Sequence, residues 1–561
     1  MNGGKVKLWI EEQVEQDSLN FRDTIIKFAQ EFEPARSRYQ TSNTRLRENK
    51  RDTNEFFTQF FNTITENELE VYNMITLTKW NTNYHNKRVD TVVGNSGGGG
   101  GGGNGSGGGS GGWDENYIEN IQFKIQKVLS PANLPRPSML ESLRHKYDNG
   151  HVNKSTNDTS GDFKFIPKPI YNYIRDNSEW WIQFKHRING RDITLHFITY
   201  PESKISICDK SVAPPASSHK SSNQTGLMCA KEIAIYQTYA YKAFLWLTIV
   251  SKMSDSNCSG ESLNVYIYMT PFKKNIPSMT PTTRQGDTLS AIHVNTGVTQ
   301  NCQKNGEIII YRYEEWFKVL IHETMHNFNM DFIDTELSKM NTLLRESFII
   351  PHNDILIFET YTEGWARIIY TMFEAYFDPS VRNQSGFIHI VREKLHYNAI
   401  FAALQLTKVL DVMDLEYSHI TIQSKENLLR CEKNYKEESN IYAYYILGGV
   451  LSVFSLPFIS WCMANNKHSS RTIKNQYRRN HVTDSIRFLN NNNNNNNLPA
   501  FFSNNDNSSS LMKLATFINE CSRDSQMLSI VAFCENKLDN IHKQVSNGYN
   551  YRLAATLRMT I

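Results

Sequence analysis

His322-Glu323-Thr324-Met325-His326 combines two imidazoles and a carboxylate at a spacing that suits metal chemistry. Positions i and i+4 share one face of a helix, so both imidazoles can reach a single ion. Zinc accepts neutral imidazole nitrogen and needs a third protein ligand, which leaves one position for water. Glu323 stands beside the first histidine, where its carboxylate can take a proton from that water. The pattern predicts a zinc-dependent hydrolase of peptide bonds with Glu323 as general base. The bland alternative is a helix carrying two solvated or internally bonded histidines, and the flanks of the motif weigh against it.

No proline or glycine interrupts the stretch from Tyr311 to Phe332, so a helix can run through the motif. Phe317, Ile321, Met325 and Phe328 recur at helical spacing, and Trp316, Val319 and Leu320 widen that apolar face. A helix so enclosed buries its histidines, and buried imidazoles need partners, of which a metal is one. Glu314 and Glu315 fall near the expected N-terminus, where negative charge suits the helix dipole. Glu307 to Arg312, rich in β-branched residues and preceded by Gly306, reads as a strand feeding the helix.

Downstream, Glu359 and Glu363 are again i and i+4, ahead of the apolar run Ile368 to Phe373. Two glutamates at this spacing often form a solvated face, but the apolar continuation predicts burial. Val319, Leu320, Thr324, Met325, Asn327 and Phe328 resemble the extended signature around the paired histidines of the zincin metallopeptidases. Glu363-Gly364-Trp365-Ala366 is similar to the Glu-Gly-aromatic-Ala stretch of the gluzincin aminopeptidases, whose glutamate is the third zinc ligand. The spacer from His326 to Glu363 is longer than in those aminopeptidases. The resemblance implies one Zn2+ per chain held by His322, His326 and Glu363, with Glu359 as an outer partner or a rival ligand. It also implies that Gly364 and Ala366 let the second helix approach the first closely. A peptide or protein is then the partner expected as substrate.

Elements that could carry such a site precede and follow it. Glu179–Ile188 and Arg191–Ile198 flank Asn189-Gly190, a strong hairpin signal because this dipeptide supplies the positive φ angles of a tight turn. Leu263 to Met269 alternates as a further strand, and Ser290 to Thr299 reads as another, a candidate for the edge that meets substrate. His293 within it is expected to be structural. Ala230 to Met253 has helical spacing without breakers. The order predicts an α+β fold, with a mixed sheet, the active-site helix and a mostly helical C-terminal half, zincin-like by resemblance. Tyr442 and Tyr445, three residues apart on one helix, are candidates to stabilise an oxyanion, although packing tyrosines are the commoner case.

At 561 residues the chain exceeds an ordinary domain. The expected division is an N-terminal helical appendage at 1–93, a Gly-rich linker at 94–112, a β-containing part at 113–300 and a zinc-binding helical part at 301–561. Gly94 to Gly112 holds about half of the 29 glycines and cannot pack, and the Asn490–Asn497 run reads as a loop insert. A net charge of +3 is too balanced to argue for a nucleic-acid partner. The 8 cysteines form no CxxC pair, and Met1 to Glu11 lacks the apolar core of a signal peptide, so an intracellular location is expected. Ile441 to Ala464 is uncharged and long enough to cross a bilayer, but Gly448-Gly449, Pro457 and its serines favour a buried helix over a membrane anchor. A catalytically inactive relative serving as an interaction protein is the rival functional reading. Intact Glu323 argues against it, because a scaffold has no use for the base.

Overall fold

The computed structural model describes residues 16–32, 46–76, 122–138, 166–201, 230–253, 260–277, 288–331, 337–350, 355–465, 507–546 and 555–561, with Asn43, Leu140 and Cys258 singly. Helices α1 (Gln16–Gln30) and α2 (Lys50–Thr76) come first. Strand β1 (Gln122–Lys127), helix α3 (Lys168–Asn177), strands β2 (Trp180–Ile188) and β3 (Arg191–Thr199), helix α4 (Ala230–Met253) and strand β4 (Ser262–Tyr268) follow. A helical turn at Ala291–Val294 precedes β5 (Gly297–Thr299), β6 (Asn305–Ile310) and the motif helix α5 (Trp316–Asn327). Beyond it lie α6 (Leu337–Leu344), α7 (Ile357–Tyr376), α8 (Gln384–Val412) and α9 (Lys425–Asn434). A π-helix (Tyr442–Leu447), α10 (Gly448–Val453), α11 (Ser455–Asn465), α12 (Asn507–Ser522) and α13 (Ser525–Ser546) complete the order.

The architecture mixes α and β around one six-stranded sheet of order β1-β2-β3-β4-β6-β5. β2 and β3 form the expected hairpin, with Asn189 at φ 49° and Gly190 at φ 81° in its two-residue turn. β3, β4 and β6 are parallel, and β5 runs antiparallel to β6 at the sheet's edge. Alternation sorts the side chains into two cores. Leu195, Phe197, Val265, Ile267, Ile308 and Ile310 face the large helical core, whereas Ile198, Tyr266, Tyr268 and Ile309 face a smaller one under α3. Of the expected strand at 290–299, only Gly297–Thr299 is extended. Ser290 caps the preceding helical turn together with His293, which is thereby structural.

Two expectations change on this scaffold. The helices at 16–30 and 50–76 are integral to the core and not an appendage. Phe56 packs on Trp365 with ring centroids 5.6 Å apart, and Phe60 meets Phe373 edge-on at 5.9 Å. Tyr376 donates to Glu68 at 2.5 Å, and Lys252 donates to Asn67. The aromatic stripe of α2 therefore meets rings of α7, while the helix also packs on α4, α8 and α11. The division at 300/301 also dissolves, because one hydrophobic core takes residues from Ile25 to Met559. The linker at 94–112 and the Asn490–Asn497 run lie outside the described residues.

The apolar stretch at 441–464 bends by 89° between its two helical halves. Most of it is buried, and Gly449 lies so close to α8 that a Cβ there would meet Leu406 at 3.0 Å. No single helix among the described residues is long and apolar enough to cross a membrane. Cys258 and Cys302 form a disulfide, a pairing their scattered positions did not suggest; such a bond forms under oxidising conditions. It ties the approach to β4 to the turn between β5 and β6.

Candidate metal centre

Every residue of α5 is buried, and its two histidines reach the wall of a cleft. The helix packs against α7, and matching polar stripes meet across the contact. Lys318, His322 and His326 form one stripe at i, i+4 and i+8; Glu359, Glu363 and Arg367 form the other. The stripes run in opposite senses. Lys318 therefore pairs with Glu363, while His326 pairs with Glu359.

The Nε2 atoms of His322 and His326 lie 3.0 Å apart, and each is 3.2 Å from Glu359 Oε2. Zinc bonds of about 2.0–2.1 Å at tetrahedral angles put ligand atoms ~3.3 Å apart, so this triangle has the size of one face of a zinc tetrahedron. The opposite edge of each imidazole is braced by a different carboxylate. Glu363 Oε2 is 3.1 Å from His322 Nδ1, and Asp331 is hydrogen-bonded to His326 Nδ1. Paired carboxylates at Nδ1 fix ring orientation and leave Nε2 to face the ion. The donor set fits a metal.

Glu363, implied as third ligand by the aminopeptidase resemblance, occupies the bracing position instead. Lys318 Nζ donates to both its oxygens at 3.0 Å, and Arg367 Nε donates to Oε1 at 2.8 Å. Burial opposes its ionisation, but Lys318, Arg367 and His322 outweigh this and hold it well below the ordinary carboxylate range. An anion satisfied by two cations has little capacity left for a third. The small residues also serve another contact: a Cβ on Gly364 would meet Leu451 at 3.3 Å, so this glycine admits α10 rather than α5.

Burial disfavours the charged form of both imidazoles, yet Glu359 and Glu363 raise the proton affinity of His322, and Glu359 and Asp331 raise that of His326 well above its usual value. A metal taking both Nε2 atoms has to displace protons held this way.

Glu323 lines the same cleft of about 300 Å³, and its carboxylate makes no hydrogen bond to any described residue. Burial raises its pKa, partly offset by His322 and His326. β5 forms another wall through Gly297, Val298 and Thr299. The tyrosine in the cleft is Tyr444, whose hydroxyl donates to Glu359 Oε2 at 3.2 Å. Tyr442 and Tyr445, the two candidates from helical spacing, point elsewhere and donate to the carbonyls of Ile349 and Leu557. These tyrosines lie in the π-helix, whose wider turn departs from regular helical spacing and is frequent at functional sites.

Asp331, Lys318, Arg367 and Tyr444 escaped the sequence reading. The i, i+4, i+8 stripes could have revealed Lys318 and Arg367; Asp331 and Tyr444 carry no such signal. No family model, curated protein or solved structure matches this chain.

Proposed function

We propose that this chain is a zinc-dependent peptidase whose metal is held by His322, His326 and Glu359. The observation that carries the reading is the Nε2–Nε2–Oε2 triangle with a separate carboxylate behind each imidazole. Zinc bound there would polarise the scissile carbonyl and lower the pKa of its bound water. Glu323 accepts the proton of the attacking water and passes it to the departing amine nitrogen. Tyr444 can turn its hydroxyl from Glu359 toward the developing oxyanion. Among the described residues no strand pairs with β5 on the side away from β6, where an extended peptide can add as a further strand.

The purified chain should contain about one zinc and cleave peptides from an unbiased library, and a chelator should abolish both. Cleavage by zinc-free protein would end this reading.

The proposed base also depends on a close backbone approach. A Cβ on Gly297 would lie 2.8 Å from Glu323 Oε1 and 2.7 Å from Val319 Cγ1, so Gly297→Ala must displace one of them. Misplacing a catalytic group by about 1 Å can cost on the order of 10²-fold. Gly297→Ala should therefore lower kcat by that order while zinc content stays at the wild-type level. Unchanged kcat in a folded variant would show that Glu323 is not confined by β5.

A further inference from the structure

Residues 555–561 thread between the helical half and the sheet and reach the wall of the cleft. Thr556 bridges to Asn275, and the amide of Leu557 donates to the Lys274 carbonyl at 2.7 Å. The helical side holds the same segment. Tyr445 donates to the Leu557 carbonyl at 2.5 Å, Gln405 to that of Arg558 at 2.6 Å, and Lys408 to that of Thr556.

Two contacts join this segment to the metal centre. The first is at Glu315, which immediately precedes α5 and holds a left-handed backbone at φ 60°. A non-glycine residue stays in that region only where its surroundings over-determine it. Here they do so through a buried carboxylate. Oε1 accepts from the Met559 amide at 2.8 Å, the Thr560 amide at 2.7 Å and the Thr560 hydroxyl at 2.7 Å. Oε2 accepts from Lys274 at 2.9 Å. The second contact lies one turn along α5, where Lys318 Nζ is 3.3 Å from Met559 Sδ. The same ammonium clamps both oxygens of Glu363, the carboxylate that braces His322. Met559, Lys274 and Lys318 all line the cleft.

Lysine carries its charge on a flexible stem that regains rotamer freedom when a neighbour withdraws. Met559 Sδ lies against the Lys318 ammonium at the cleft wall and limits its movement away from Glu363. Without it, Glu363 keeps Arg367 and loses the cation that aligns it with His322.

We propose that residues 555–561 are a positioning strap for the metal centre: Met559 and Thr560, docked on Glu315 and Lys318, hold the Lys318–Glu363–His322 chain in register. The proposal rests on His322 being a metal ligand, as in the reading above. It concerns a segment distant in sequence from the motif and assigns it a role in metal retention.

The test uses the full chain carrying Met559→Ala and Thr560→Val together, and a second chain lacking residues 555–561. Zinc affinity is read by chelator competition, and ligand geometry by the visible spectrum of the cobalt-loaded protein. Losing an outer partner of a ligand lowers metal affinity by about 10–100-fold. That loss is expected in the doubly substituted chain, with an altered cobalt band. In the shortened chain, a synthetic peptide of residues 555–561 should restore affinity saturably. If the doubly substituted chain lowers Tm but keeps wild-type zinc affinity and cobalt spectrum, the strap is structural only and the proposal falls. Should the shortened chain fail to fold, the doubly substituted chain decides alone. An unaltered chain that binds neither zinc nor cobalt overturns the metal reading before any variant is made. A chain that binds metal but hydrolyses nothing overturns the peptidase reading and leaves this test intact.

Discussion

Glu359→Ala should strip the chain of zinc, whereas Glu363→Gln should retain it with affinity lowered only about 10–100-fold. The two carboxylates sit one helical turn apart on α7, yet their surroundings assign them different work. Glu359 Oε2 lies 3.2 Å from the Nε2 atoms of both histidines. Glu363 reaches only His322 Nδ1 and is clamped by Lys318 and Arg367. The glutamine variant is the appropriate probe at 363. Both substitutions remove the counter-charge of Lys318 and Arg367, and breaking a buried pair costs about 3–5 kcal/mol, but glutamine keeps the side-chain volume and one acceptor oxygen that alanine also deletes. Competition with a chelator, alongside Tm of the metal-free proteins, separates lost metal from lost fold. If Glu359→Ala keeps its zinc and Glu363→Gln is the metal-free variant, the assignment reverses and the aminopeptidase-like alignment stands.

That contrast marks how far the sequence could be read. The motif helix, the hairpin at Asn189-Gly190 and the strand at Ser262–Tyr268 were legible because each is a local periodicity bounded by a local signal. Choosing between Glu359 and Glu363 is not a local problem. It depends on the relative register of two helices, and i, i+4 spacing fits either residue. The decisive clue was present in Lys318, which continues the histidine stripe one turn back. A buried cation on that stripe must claim the nearer carboxylate of an opposing helix, which leaves the other for the histidines.

Other differences have the same origin. Tyr442 and Tyr445 were candidates on the assumption of a regular α-helix, and the π-helical turn brings Tyr444 to the cleft instead. By the aminopeptidase resemblance, Gly364 is the point of close approach between α5 and α7. Its open side faces Leu451 and Phe458. The N-terminal region is legible as helical, but its sequence does not name what its phenylalanines meet, and Trp365 and Phe373 of α7 are among those partners. Asp331 and Met559 lie beyond sequence reasoning altogether, since only the folded chain brings them to His326 and Lys318.

Glu323→Gln should abolish hydrolysis while leaving the metal in place. Glutamine keeps the size of the side chain and cannot accept a proton from water. General acid–base catalysis is typically worth about 10²–10⁴-fold, so kcat should fall by at least that range. Zinc should remain because Glu323 lies outside the proposed ligand triangle of His322, His326 and Glu359. Stability supplies an independent check. The Glu323 carboxylate is buried with no hydrogen-bond partner among the described residues, and burial raises its pKa. A neutral amide removes the charge that burial disfavours at the cleft wall. The metal-free variant should therefore unfold at or above the Tm of the metal-free parent, as expected where activity and stability compete at one residue. A variant hydrolysing within about 10-fold of the parent would remove Glu323 from the mechanism. A variant that lost its zinc would instead make Glu323 part of the metal site.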